Sequence, residues 1–271
     1  KERLSYWTYF VGQNVYYNIT FIYLSAYLAM QGIALWKVSL VLLVVKIWDA
    51  INDPIFGYIF DKVKFKNGLK SLPWLRIAVA FIPIVTIAVF AIPGGFSETG
   101  KLIWFAVAYL LWHTVYTLTD VPAYSMLNTM TDSLEERNLL LSVNRVFSGA
   151  GYLTCVVVMP LLIGKSYSFA VIVLSIISAL TMVPLCLFCK ERNYHPGQLE
   201  ENFTFGQMWH YLKNNKYLVI YYGGYMAMDA LKTSAALGLL ASFYLFGSST
   251  FNLLLGLLAS VPGFVAAYLA P

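Results

Sequence analysis

The chain has 271 residues, of which 59% are hydrophobic, 17% aromatic and only 11% charged, with a net charge of +5. Soluble domains average roughly 25% charged residues, so this composition excludes a water-solvated globule and points to lipid as the main solvent.

A transmembrane helix needs roughly 20 mostly apolar residues. Eight segments meet that requirement, at about 5–30, 38–60, 73–93, 101–127, 139–163, 167–189, 216–246 and 250–270. Proline and glycine inside them, as in "MPLLIGK" and "TMVPLC", suit membrane helices, whose neighbours re-satisfy freed backbone groups. The pattern predicts an all-α, polytopic membrane protein. No cleavable signal peptide is evident, and the chain opens without Met. With the N-terminus inside, twelve Lys and Arg fall on inner segments and three, Lys37, Lys101 and Lys165, on outer loops. That asymmetry obeys the positive-inside rule, predicts a cytoplasmic N-terminus and accounts for the basic balance without a nucleic-acid partner.

The first span carries "GQNVYYN", which sets Gln13, Asn14, Tyr17 and Asn18 in the membrane, uncharged but rich in donors and acceptors. The second contains "KIWDAINDPIFGYIFDK", where Lys46, Asp49 and Asp53 fall at i, i+3 and i+7, one helical face. A charge near mid-membrane costs at least about 2.5–3.5 kcal/mol on insertion scales, so an ionisable residue there points to function. Two carboxylates four residues apart repel, and in low dielectric one takes up a proton unless a cation sits between them. Oxygen-rich surroundings, with Asn52 alongside, suit a hard ion such as sodium, which makes Asp49 and Asp53 candidate metal ligands. The same pair can carry a proton. A plain Lys46–Asp49 ion pair holding two helices together is the structural alternative, and it leaves Asp53 unexplained.

The fourth span supplies "WHTVYTLTDVPAY", in which His113, Tyr116, Thr117, Asp120 and Tyr124 again share a face. A carboxylate, hydroxyls and aromatic rings on one wall match a sugar, whose OH groups want charged partners and whose CH faces want aromatic surface. His113, one turn further out, reads as packing or as support for a neighbour. In the fifth span Arg145 lies about two turns in, where snorkelling is strained, and pairing with Asp120 is the natural way to neutralise it. Cys155, and the CxxC formed by Cys186 and Cys189, have no second pair or clustered His and read as packing residues.

The longest connection, residues 190–216, holds Phe205, Met208, Trp209 and Leu212 at helical spacing with Thr204 as a candidate cap. It predicts a short amphipathic helix on the inner membrane surface, with Lys213 and Lys216 facing anionic lipid. The division expected is a six-helix bundle over 1–189, a cytoplasmic middle loop over 190–216, and the first helices of a second, incomplete bundle over 217–271. In the seventh span Asp229 and Lys232, at i and i+3, can satisfy each other.

Three strings in order, "WDAINDPIFGY", "YTLTDVP" and "ERNLLLSVNR", resemble the glycoside-pentoside-hexuronide:cation symporter family of the major facilitator superfamily, typified by the melibiose permease. The match runs from "LSY" at residue 4 through Arg145 and beyond. The resemblance implies the N-terminal six-helix half of a major facilitator bundle with about two helices of the second half, so that the chain reads as truncated against the family's twelve. It also implies a cation site at Asp49 and Asp53, with Asn52 and Thr117 contributing or adjoining, and a sugar site at Asp120, Tyr116, Tyr124 and Arg145. The chain departs from the melibiose permease at Gln13 and Asn14, which replace a sugar-binding Lys-Asp pair, and at Tyr124, which replaces a Trp. Amides still bind hydroxyls and accommodate a substrate that brings its own negative charge, such as a uronide.

The expected function is symport of a glycoside, pentoside or hexuronide with sodium or a proton, by alternating access across the bacterial cytoplasmic membrane. Its partners are then sugar, a monovalent cation and membrane lipid, with no organic cofactor and no nucleic acid, and the complete protein works as a monomer. A lysolipid carrier on the same scaffold is the alternative within transport, and a retinal-binding photoreceptor or pump, suggested by Lys232, is the alternative outside it. No HExxH, GxSxG or clustered Cys/His marks an enzyme.

Overall fold

A computed structural model describes residues 1–63, 65, 68–192 and 205–224, together with residues 226, 245, 254 and 258. The chain is helical throughout these regions, in the order α1 (Glu2–Met30), α2 (Leu35–Lys62), α3 (Leu72–Val89), α4 (Glu98–Met130), α5 (Leu134–Ile163), α6 (Tyr167–Phe188) and α7 (Phe205–Asn214). Residues 216–224 are helical as well. At about 1.5 Å per residue the 28 residues of α2 reach roughly 42 Å, more than the about 30 Å of a bilayer's hydrocarbon core. Helices α3, α4, α5 and α6 are long and apolar enough to cross a membrane. Helices α1 and α2 are equally long, but their apolar runs are broken by the amides and charges noted above.

Three of the helices begin at serine caps. Ser133 accepts the backbone N–H of Glu136, so α5 starts at Leu134, ahead of the apolar run near residue 139. Ser97 and Ser166 cap α4 and α6 in the same way, through the N–H groups of Gly100 and Phe169. At the other extreme α3 stops at Val89, short of the expected residue 93, because Pro93-Gly94-Gly95 cannot carry a helix onward. Pro54, Pro83, Pro122, Pro160 and Pro184 lie inside helices, each removing one backbone bond that neighbouring groups must make good.

Helix α1 packs against α5 and α6, α4 packs against α2 and α3, and α3 meets α6. Exchanging α1 with α4, α2 with α5 and α3 with α6 maps these main contacts onto one another, although α5 also packs on α6 where α2 and α3 barely meet, so the bundle is two related but unequal triplets. Small residues let α1 sit deep. A Cβ on Gly12 would run into the Ser178 carbonyl of α6, and one on Gly151 of α5 into the Val11 carbonyl. Sixteen of the 29 residues of α1 are buried.

The rim carrying the N-terminus is laced by charge. Just past α6, Glu191 takes the N–H groups of Lys70, Ser71 and Leu72 at 2.6–2.7 Å, satisfying the open start of α3. Arg192 donates its backbone N–H to the Thr129 carbonyl of α4 and its guanidinium to Glu2 of α1. Arg3 bridges to Glu136 of α5. The expected amphipathic helix coincides with α7, but Thr204 and the side chains of Phe205, Met208, Trp209 and Leu212 lie outside the described residues, as do Asp229 and Lys232. Most of the two expected last spans lies outside them too.

Candidate functional site

Helices α2 and α4 lie side by side and run the same way, because the side-chain hydrogen bonds along their seam join residues 64–66 positions apart. At one end Glu98 of α4 accepts the N–H of Ala34 and pairs with Lys37. Deeper in, Trp48 Nε1 donates to Thr114 Oγ1 at 3.1 Å. Since each helix presents every fourth residue on one face, two partners four apart on α2 meet two four apart on α4.

Those partners are the two acids. Asp49 Oδ1 lies 2.9 Å from His113 Nδ1, and Asp49 Oδ2 lies 3.6 Å from Lys46 Nζ. One turn along, Thr117 Oγ1 is 3.0 Å from Asp53 Oδ1 and accepts from Asn52 Nδ2 at 2.9 Å. The same hydroxyl is 3.1 Å from the His113 carbonyl, so its single proton is offered to two acceptors. Asn52, His113 and Thr117 are buried, Asp49 is half-buried and Asp53 is exposed. No three His, Cys, Asp or Glu side chains converge as a metal cluster among the described residues.

Three residues along α4 from Thr117, Asp120 turns toward α1 and accepts a hydrogen bond from Gln13 Nε2 at 2.6 Å. Gln13 is 2% exposed, so its amide is fixed on the carboxylate. Asn14 instead donates to the Phe10 carbonyl of its own helix. Aromatic rings flank this junction: Tyr116 stacks on Trp112 at 4.8 Å and meets Tyr17 at 5.9 Å, and Tyr124 leans on Phe10 at 5.3 Å. Tyr9 donates its hydroxyl to the Thr119 carbonyl, tying α1 and α4 together beside Asp120.

One expectation from the sequence does not hold. Arg145 forms no ion pair with Asp120; it is exposed on α5, which is seated on α1 and α6 and meets α4 only slightly. The carboxylate takes its cross-bundle partner from the neutral Gln13 instead. The link from His113 to Asp49 was not visible in sequence either. His113 sits four residues from Thr117, as Asp49 sits four from Asp53, but the register between helices that joins the two pairs appears only in three dimensions.

Four long apolar helices, with polar α1 and α2 packed on them in a two-triplet bundle, define a multi-pass membrane protein of the major facilitator type. The chain belongs to the MFS/sugar transport protein family, whose pattern it matches over residues 7–270. It is similar to an uncharacterized symporter, YjmB, of Bacillus subtilis, with 34% identity over 60% of this chain and 36% of that protein. It is also similar to a putative glycoside/cation symporter, YagG, of Escherichia coli, 29% identical over 68% of this chain and 40% of that protein. The sodium-dependent lysophosphatidylcholine symporter 1 of Xenopus tropicalis is 35% identical over a shorter stretch, 36% of this chain and 18% of that protein. The chain thus spans less than half the length of these curated relatives.

Proposed function

We propose that the chain forms the N-terminal part of a cation-coupled symporter for a glycoside, pentoside or hexuronide. The observation that carries this is the α2–α4 seam, where two acids in register meet a histidine and a threonine, with a third acid three residues further along α4. Two carboxylates about one turn apart repel by on the order of 3 kcal/mol at an effective dielectric of about 20, and a cation between them removes that term. Thr117 accepts from Asn52 with one lone pair and donates its proton to Asp53, which leaves its second lone pair open to the ion. Asp120 then receives sugar hydroxyls, with Gln13 holding the carboxylate and Tyr116 and Tyr124 offering ring surface. Asn14 and Arg145 complete the proposed sugar site on α1 and α5.

Because Thr117 and Asp120 are neighbours on one helix, ordering of α4 by the ion raises affinity for the sugar, and by linkage the sugar raises affinity for the ion equally. In this proposal residues 1–189 form the first bundle, 190–216 the middle loop and 217–271 the start of the second bundle. The N-terminus is cytoplasmic, by the charge asymmetry of the connections, and the host membrane is the bacterial cytoplasmic membrane. The protein is not an enzyme, uses no organic cofactor and works as a monomer. The coupling ion is sodium or a proton.

A lysolipid carrier is the second reading, favoured by the lysophosphatidylcholine symporter among the relatives. It is disfavoured by the Gln13–Asp120 pair, which sets a hydrogen-bonded carboxylate where an acyl chain needs apolar surface. The test is uptake of labelled glycosides, uronides and lysophospholipids by the complete transporter in proteoliposomes, with and without sodium and at two pH values. Accumulation of a sugar that needs one of the two ions supports the proposal. Lysophospholipid uptake with no sugar uptake contradicts it.

A further inference from the structure

We infer that His113 is a positioning residue of the cation site: it holds one oxygen of Asp49 against α4 and leaves the other for the ion. This rests on the symport proposal above and adds to it a determinant of ion affinity on the opposite helix.

The geometry is that of two matched rungs. His113 meets Asp49 and Thr117 meets Asp53, each across an offset of 64 residues. Thr117 spans its rung with a short, rotatable hydroxyl. His113 spans its rung with a rigid ring that is only 7% exposed. The rings of Tyr109 and Trp112 stand edge-on to the imidazole, at 4.7 and 5.2 Å with interplanar angles of 80° and 82°. Trp112 is in turn pinned to α3, donating Nε1 to Thr86 Oγ1 at 3.0 Å. The imidazole cannot swing away without loosening the α3–α4 contact.

Packing alone does not account for a histidine there. Its Nε2 is buried with no hydrogen-bond partner among the described residues. An unmade hydrogen bond at a buried polar atom is a penalty that an apolar side chain in the same aromatic box avoids. Among the described residues the one polar contact the ring makes is to Asp49, and that contact offsets the penalty. The two oxygens of Asp49 are then unequal. Oδ1 is fixed by a locked ring, whereas Oδ2 faces Lys46, which is 3.6 Å away on a side chain that is 67% exposed. A long, solvated ammonium yields its place readily, so Oδ2 is the oxygen that exchanges Lys46 for the coupling ion. Asp53 offers its own Oδ2 in the same way, since Thr117 engages Oδ1.

The test compares His113→Ala, His113→Asn and His113→Gln in the complete transporter. The Asn amide nitrogen reaches the position of Nδ1, whereas the Gln amide mimics Nε2 and points away from Asp49. Three quantities are read: the half-saturating concentration of the ion that drives uptake (sodium at fixed pH, or protons without sodium), the substrate KM at saturating ion, and ion-dependent thermal stabilisation of the purified protein, which needs no substrate. Ala and Gln are expected to raise the half-saturating ion concentration by about ten- to a hundredfold, as loss of partners that orient ion ligands does elsewhere, with KM at saturating ion within about twofold. Asn is expected to stay within about threefold of the parent. The inference is overturned if Ala leaves ion half-saturation unchanged, or if Asn and Gln behave alike. Should Ala fail to fold, the Asn–Gln comparison decides. If Asp49→Asn and Asp53→Asn abolish ion dependence while His113→Ala does not shift it, the symport proposal stands and this inference falls; if both Asp variants retain ion dependence, the proposal itself falls.

Discussion

Helices α1 and α2 both carry polar residues through the membrane, yet they are held in opposite ways. In α1 sixteen residues are buried, Gly12 lets the backbone touch α6, and Val11 touches α5 at Gly151. Its amides are accordingly fixed: Gln13 on Asp120, Asn14 on Phe10 and Asn18 on Asn14. Among the described helices α2 packs to any extent only on α4, through a polar seam, and exposes Trp36, Leu40, Leu43, Ile47, Ile51 and Ile55. Of its described residues only Val38, Val45, Asn52 and Phe60 are buried. The proposed sugar acid is thus held by the most tightly packed helix, and the proposed ion acids ride on the least packed one. Among the described residues α2 is attached along one polar seam, so the proposed symport mechanism gives the ion its greatest leverage on this helix.

The contrast is broken most severely by adding bulk where α1 is tight. Gly12→Val must displace the Ser178 carbonyl, Thr181 and Met182, and should lower stability by about 1–3 kcal/mol, read as a drop in the melting temperature of the purified protein. On α2, Gly57 has nothing within 4 Å, so Gly57→Ala should be neutral or stabilising by up to about 1 kcal/mol. If the two glycines respond alike, the packing contrast is wrong.

Next in size is the carboxylate that α1 holds. Asp120→Asn should raise the substrate KM by roughly tenfold or more, as loss of hydrogen bonds to a charged group does. Its effect on ion half-saturation should vanish when substrate is absent, which ion-dependent thermal stabilisation can show.

Much of this was legible in one dimension, and the reason differs from residue to residue. Helices α3–α6 are readable because lipid selects long apolar runs, and Asp49, Asp53 and Asp120 stand out because ionisable groups are rare within such runs. Periodicity also placed Asp49 with Asp53, and Thr117 with Asp120, since those relations lie within single helices. What periodicity could not supply is the register between helices: that His113 meets Asp49, that Gln13 meets Asp120, and that Arg145 does not. Glu191 was equally hidden, because the backbone groups it caps lie about 120 residues earlier in the chain.

Smaller effects sharpen the contrast. Trp48→Phe removes the hydrogen bond to Thr114 but neither rung of the acids, so it should cost about 1 kcal/mol of stability and leave ion half-saturation unchanged. Glu191→Gln weakens the cap on α3 at the rim, far along the chain from both acids, and should likewise lower stability by about 1 kcal/mol without touching ion dependence. A shift in ion affinity from either variant would mean that general loosening of the bundle, and not the His113 and Thr117 rungs, controls the site.

In the proposed mechanism Asp49 and Asp53 bind the coupling ion. Its most direct test is concentrative uptake of the transported sugar by the complete protein carrying Asp53→Asn, and separately Asp49→Asn, under an imposed ion gradient. Both variants should lose accumulation above the external concentration while sugar still exchanges across the membrane. Accumulation at the parent level, with unaltered ion dependence in both variants, would contradict it.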